Sequence, residues 1–303
     1  MYDILIVGGG PAGLTAALYA RRHGKNVLLL EKEGFGGQIA FAPRVENYPG
    51  VPAAPGAEIA QSMLEQILAL DTETDIGTVC ALERAGDRWL VRTEEGETYE
   101  SRAVIVAAGA KHRPLGVEGE FDLLGSGVSY CAVCDGSFYQ GEDVAVVGGG
   151  DSALQEALLL ADICRTVYVI HRRESFKGDE EKQKRLFARD NVKVVTPCEV
   201  AGFLTEGGSL RGVTLRDKRD GSERELPLAA LFISVGVVPQ IDAFAEWLPL
   251  DEKGYAALPE GGASGHPGLF VAGDCRKKEV RQLTTAVSDG ANAALAACRY
   301  LDT

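Results

Sequence analysis

An α/β fold of two three-layer (ββα) domains, the second inserted into the first, is predicted by three observations. A strand, a glycine loop, a helix and a second strand open the chain, and the same unit returns with Gly148 standing 140 positions after Gly8. A further strand and a long helix at the C-terminus complete the domain that the first copy began. The length agrees, since 303 residues exceed the core of about 100 to 200 residues that one domain usually builds.

In the first unit, residues 4–7 (Ile-Leu-Ile-Val) form a buried strand that leads into Gly8-Gly9-Gly10-Pro11-Ala12-Gly13. Leu14, Ala17, Leu18 and Arg21 then recur at helical spacing up to Gly24, and a second strand over 27–30 ends at Glu31. The second unit runs as a strand over 144–147, Gly148-Gly149-Gly150-Asp151-Ser152-Ala153, a helix through Ala157 and Leu158, and a strand over 167–170. Each loop sits between strand and helix, which is where a Rossmann-like dinucleotide site needs it. The first glycine makes the turn, the second admits a pyrophosphate, and the third position must be small so that the helix packs on the strand. The helix N-terminus then faces the phosphates with its partial positive charge.

The two copies diverge where the second strand ends. Glu31 offers a carboxylate to ribose hydroxyls, whereas the shifted position holds His171, followed by Arg172 and Arg173. A carboxylate repels a 2′-phosphate and two guanidiniums bind one, so FAD fits the first site and NADPH the second. The competing reading of Arg172 and Arg173 is a solvated charge run at a strand end.

Between the units, 57–70 reads as a helix, 78–100 as short strands with polar turns, and 103–107 as a buried strand closing at Ala108-Gly109. A similar strand over 231–235 runs into Gly236, another over 268–274 ends in Gly273-Asp274, and 281–300 reads as an amphipathic helix. The expected division is a discontinuous FAD-binding domain, 1–113 and 242–303, around an NADPH-binding domain, 114–241.

Composition narrows the partners. A formal net charge of −13 argues against nucleic acid or an anionic membrane surface. The uncharged run 226–241 is interrupted by Pro227 and Pro239 and falls short of the roughly 18 to 20 apolar residues of a membrane helix. The chain opens on Met1-Tyr2-Asp3 with neither a basic region nor a cleavage site, so a cytoplasmic protein is expected.

Seven cysteines scattered over this length do not make a secreted disulfide framework. Cys80, Cys164, Cys198, Cys275 and Cys298 are expected as buried apolar fillers. Cys131 and Cys134 are different: three apart in Cys131-Ala132-Val133-Cys134-Asp135-Gly136, they suit a disulfide that accepts two electrons and is reformed by exchange. Such a pair also occurs as half of a zinc site, but four histidines and no second pair leave no metal expected. The competing reading of Asp135-Gly136 is a turn, and Lys111-His112-Arg113 and Lys277-Lys278 read as solvated charge.

With these motifs, Gly36-Gly37-Gln38, Glu46-Asn47-Tyr48-Pro49-Gly50, Ala272-Gly273-Asp274 and Arg281-Gln282, the chain resembles the low-molecular-weight thioredoxin reductases of the pyridine nucleotide-disulfide oxidoreductases, over essentially all 303 residues. The resemblance implies a homodimeric thioredoxin-disulfide reductase whose electrons pass from NADPH through FAD and the Cys131–Cys134 disulfide to a thioredoxin-like protein. The redox pair lying within the inserted domain is particular to that branch.

By the same resemblance, FAD is held by Gly8, Gly10, Pro11, Ala12, Gly13, Glu31, Lys32, Gly36, Gly37, Gln38, Asn47, Gly109, Gly273, Asp274, Arg281 and Gln282. NADPH is held by Gly148, Gly150, Asp151, Ser152, Ala153, His171, Arg172, Arg173 and Lys177. Cys134 faces the flavin, Cys131 attacks the substrate, and Asp135 carries the proton. The second domain rotates about crossings near Pro114 and Ile241.

Two departures touch the donor: Lys177 stands where the family has a third arginine, and Gln240 where it has asparagine. Related flavoproteins draw electrons from ferredoxin, or pass them from a small dithiol to oxygen, and a flavin-binding redox sensor is a third class.

Overall fold

The computed structural model describes residues 1–42 and 44–303. The chain divides into Met1–Lys111 with Val238–Thr303, and His112–Val237. These boundaries fall two and four residues before the expected ones, because the chain crosses at the short strands Ala110–His112 and Val237–Pro239.

In the discontinuous unit, parallel strands run in the order Glu73–Ile76, Val27–Glu31, Tyr2–Val7, Thr98–Val106 and Leu269–Val271. Strands buried on both faces need no polar alternation, which is why Ile4-Leu5-Ile6-Val7 is uninterrupted. Ile4, Ile6, Val27, Leu29 and Ile105 pack against helices Pro11–Arg22 and Leu283–Leu301, with Ile67 of Gly56–Leu68. On the other face Leu5, Val7, Leu28, Leu30 and Val104 meet Leu82, Trp89 and Val91. Those last three belong to Val79–Ala85 and Arg88–Thr93, an antiparallel meander that pairs with the first half of Thr98–Val106.

The inserted unit repeats this layering. Its parallel sheet runs Val192–Val195, Thr166–Ile170, Asp143–Val147, Ala230–Ile233, Val128–Ser129. Val144, Val146, Val167, Val169 and Phe232 face helices Asp151–Ala161 and Glu180–Phe187. Ala145, Val147, Ile170, Leu231 and Ile233 face the antiparallel sheet Cys198–Glu206, Ser209–Asp217, Glu223–Pro227.

Three expectations need correction. The last helix starts at Leu283 rather than Arg281, because Gln282 is its N-cap and closes a capping box with Thr285. Cys80 is exposed, while Cys164, Cys198, Cys275 and Cys298 are buried. Lys278 is not solvated: its side chain is 15% exposed and ion-paired with Asp274 and Asp289. Among the described residues no helix is long and apolar enough to cross a membrane.

Candidate active site

Both glycine loops are shaped by near contacts. Gly8 has φ +105°, and a Cβ there meets the Ala107 carbonyl oxygen at 2.4 Å, while one on Gly13 meets the Gly8 oxygen at 1.8 Å. In the second loop a Cβ on Gly148 meets the Ser234 oxygen at 2.3 Å, yet Ala153 fits at the position corresponding to Gly13.

The helices that follow start bare. Pro11–Arg22 begins at Gly10 and Asp151–Ala161 at Gly150, both with no side-chain cap. By contrast Glu180–Phe187 is capped by Asp179. An uncapped N-terminus leaves backbone N–H groups and the positive end of the helix dipole for an anion.

Around the first loop, Glu31 Oε2 accepts the Gly9 N–H at 2.6 Å, and Oε1 accepts those of Lys32 and Glu33 at 2.9 and 3.1 Å. A carboxylate has about four acceptor positions, so capacity remains for ribose hydroxyls. The Gly36 N–H reaches the Gly9 oxygen at 2.8 Å, and a Cβ on Gly37 would lie 3.1 Å from Gly10 Cα, so this turn lies against the loop. Lys32 and Gln38 are exposed, and the Gly109 carbonyl accepts the Gln240 N–H at 3.0 Å.

The C-terminal motif joins the same place. A Cβ on Gly273 would come within 2.9 Å of Ala12 Cβ, and the Gly273 N–H donates to Asp289 at 3.1 Å. Arg281 donates to the carbonyls of Asp274 and Arg276 at 3.1 and 3.2 Å and lies 4.1 Å from the Tyr255 ring centre. Asn47 donates to Gln282 at 3.1 Å. Among the described residues Asp274 Oδ1 is buried with no hydrogen-bond partner: Lys278 Nζ stands 3.0 Å away, off the line a hydrogen bond needs. A bare helix N-terminus, acceptors at Glu31 and an unsatisfied buried carboxylate oxygen fit a dinucleotide with free hydroxyls, as FAD has.

At the second loop, the Lys177 and Gly178 N–H groups donate to the Gly149 carbonyl at 2.7 and 3.1 Å. Asp151, at the start of the helix beside Ser152, accepts the Asp179 N–H at 3.0 Å and pairs with Lys182. Asp179 itself caps the next helix, which turns the acid following Lys177-Gly178 to a local task. The His171 ring packs on Gly149 and stacks on Phe176. Burial pushes its pKa down, against a raising bond to the Ser175 backbone, and the Arg173 and Arg172 charges add to the fall, which favours the neutral ring. Arg172 and Arg173 are exposed, and among the described residues neither has an ion-pair partner. Two unpaired guanidiniums fit the 2′-phosphate of NADPH.

In the inserted unit Cys131 and Cys134 are joined as a disulfide, with Cα atoms 5.3 Å apart. Cys131 caps the turn Ala132–Asp135, its Sγ accepting the Cys134 N–H at 3.2 Å. Ser129 donates to Asp135 Oδ2 at 2.6 Å and accepts the Cys131 N–H at 3.0 Å, so one hydroxyl ties the carboxyl to the cysteine backbone. Burial lifts the Asp135 carboxyl above its ordinary value, and the Ser129 bond opposes that rise. Removing the hydroxyl in Ser129→Ala therefore raises it further. The pH–rate limb belonging to Asp135 is expected to move to higher pH; an unmoved limb separates Asp135 from the rate.

Sequence reasoning missed Ser129, Glu156, Lys278 and Asp289. Asp289 left a trace, since it is the one acid in the helix Leu283–Leu301. Ser129 left none, a serine before a strand end being ordinary.

The chain matches the family model described as pyridine nucleotide-disulphide oxidoreductase over residues 2–290. It is 38% identical to a thioredoxin reductase of Listeria innocua, covering 100% of this chain and 94% of that one. Among solved structures it is similar to the thioredoxin reductase of Streptococcus pyogenes, at TM-score 0.95 and 39% identity over 100% of this chain and 98% of that one. The thioredoxin reductase of Giardia duodenalis is similar at TM-score 0.94 and 32% identity, over 100% and 99%. The chain thus belongs to the thioredoxin reductases of the pyridine nucleotide-disulphide oxidoreductase family.

Proposed function

We propose that this chain reduces the disulfide of a thioredoxin-like protein with electrons from NADPH, carried by FAD and the Cys131–Cys134 pair. The observation that carries the reading is that disulfide, with Asp135 tethered to its backbone through Ser129. FAD is bound at the first loop, by Gly8, Gly10, Pro11, Ala12, Gly13, Glu31, Lys32, Gly36, Gly37, Gln38, Asn47, Gly109, Gly273, Asp274, Arg281 and Gln282. NADPH is bound at the second, by Gly148, Gly150, Asp151, Ser152, Ala153, His171, Arg172, Arg173 and Lys177. The working form is a cytoplasmic homodimer.

Bound FAD supplies two-electron transfer between nicotinamide and disulfide. Two electrons and two protons turn the Cys131–Cys134 bond into two thiols. The Cys131 thiolate attacks one sulfur of the partner's disulfide, forming a mixed disulfide and expelling the other sulfur as a thiol. The Cys134 thiolate then attacks Cys131, which releases the second partner thiol and restores the internal bond. Asp135, whose carboxyl burial pushes above its ordinary value against the opposing Ser129 bond, is the group beside the pair that passes a proton to the leaving sulfur.

The unpaired Arg172 and Arg173 favour NADPH, because neither ferredoxin nor the small dithiol of an oxygen-linked oxidase brings a 2′-phosphate for them to bind. Anaerobic mixing with NADPH, NADH or reduced ferredoxin, read by flavin absorbance, tests this. NADPH bleaches the flavin fastest, and Arg172→Gln with Arg173→Gln raises the NADPH KM about tenfold to a hundredfold while NADH is little changed. Faster bleaching by reduced ferredoxin or NADH than by NADPH rejects NADPH as donor, and a KM indifferent to both arginines rejects their role in binding it.

A further inference from the structure

Four charged side chains gather behind the first loop: Asp274, Arg276, Lys278 and Asp289. All but Asp274 are at most 15% exposed. Asp289 Oδ1 accepts Arg276 Nη1 at 2.8 Å, while Oδ2 accepts both the Gly273 N–H at 3.1 Å and Lys278 Nζ at 3.2 Å. Lys278 also reaches Thr285 Oγ1 at 3.5 Å. The ammonium thus directs its hydrogen bonds at Asp289 and Thr285, although Asp274 Oδ1 is nearer at 3.0 Å. That oxygen is left buried without a hydrogen bond.

We infer that Asp289 is a positioning residue that turns the hydrogen bonds of the ion-paired Lys278 ammonium away from Asp274, leaving Asp274 Oδ1 to accept a hydroxyl of the bound dinucleotide. This rests on the reading of the Gly273–Asp274 turn as part of the FAD site. A buried acceptor gains most from a ligand hydroxyl when no protein N–H is already directed at it. The nearest cation, at 3.0 Å, needs only a stronger competitor to keep it aligned elsewhere, and Asp289 is the other carboxylate within its reach. Asp289 also fixes the turn directly through the Gly273 N–H, so Asp274 and its guard share one anchor.

In Asp289→Asn an oxygen remains for the Gly273 N–H, but the anionic competitor for Lys278 is gone. The ammonium then closes on Asp274 and takes the acceptor. In Lys278→Met no ammonium exists to do so, and Asp274 stays open whether residue 289 is Asp or Asn.

The test is release of FAD from the full-length holoprotein on serial dilution, followed by the rise in free-flavin fluorescence. Asp289→Asn is expected to raise the FAD Kd about tenfold or more. The double variant with Lys278→Met is expected to return to within about threefold of wild type, and Lys278→Met alone to bind no more weakly than wild type. A double variant as weak as Asp289→Asn, an Asp289→Asn with wild-type affinity, or a Lys278→Met weakened threefold or more overturns the inference. Lys278→Met decides it even where Asp289→Asn does not fold. A wild-type chain that carries no FAD rejects the FAD reading itself and the inference with it.

Discussion

Cys131→Ser is expected to lower reduction of a thioredoxin-like protein by about a thousandfold or more while NADPH still bleaches the flavin. Serine fills nearly the same space, so the loss is chemical: a hydroxyl neither ionises near neutral pH nor forms a mixed disulfide. The geometry favours Cys131 as the attacking sulfur. It stands at the N-cap of the turn Ala132–Asp135 with the Cys134 N–H aimed at its Sγ at 3.2 Å, a contact that stabilises a thiolate there. The companion Cys134→Ser keeps that thiolate but removes the resolving thiol, so it is expected to trap a covalent adduct with the partner protein. Mass spectrometry under non-reducing conditions separates the two. An adduct from Cys131→Ser and none from Cys134→Ser would reverse the roles, and retained turnover in both would remove the pair from the reaction.

The repeated nucleotide units were legible because their physics is local. A strand buried on both faces must be continuously apolar, and a turn whose Cβ would strike the backbone at 2.4 Å must be glycine, so Ile4 to Gly13 and Val144 to Ala153 announce themselves. The divergence of Glu31 from Arg172-Arg173 was legible for the same reason, since charge at a strand end has few core explanations. The antiparallel sheet Cys198–Glu206, Ser209–Asp217, Glu223–Pro227 was harder. One face is solvated and crowded with Arg and Glu, and register shifts near Gly202 and Leu204 interrupt the alternation a reader looks for.

Partnerships that depend on how the chain folds back on itself were not legible, even at short separations. Lys278 reads as solvated charge beside Lys277 until Asp289 is brought onto the same turn, eleven residues away. Cys80 reads as a core cysteine because cysteine usually is one, but it falls on the exposed side of its strand. Ser129 gains meaning only when Asp135, six residues on, folds back to it at 2.6 Å.

Glu156→Gln is expected to stabilise the inserted unit increasingly as pH rises, and the sign follows from where Glu156 lies. It sits inside helix Asp151–Ala161, with Oε2 buried and, among the described residues, no hydrogen-bond partner for that oxygen. Burial pushes its carboxyl from the ordinary 4.5 up to about 8, against a smaller opposing bond from Ser234. A carboxyl that holds its proton more tightly when folded favours folding fully below about pH 4.5. That contribution drains away as pH climbs through about 8. Across that window the wild type loses a few kcal/mol, order of magnitude, that the glutamine variant has no proton to lose. Near pH 5 the two chains should melt together, and near pH 8.5 the variant should melt several degrees higher, at about 2 to 4 °C per kcal/mol. Thermal unfolding without added nucleotide, followed across that range, measures it. Parallel curves with a constant offset would mean that Glu156 does not change protonation between folded and unfolded chains, and that its neighbours solvate the carboxylate after all.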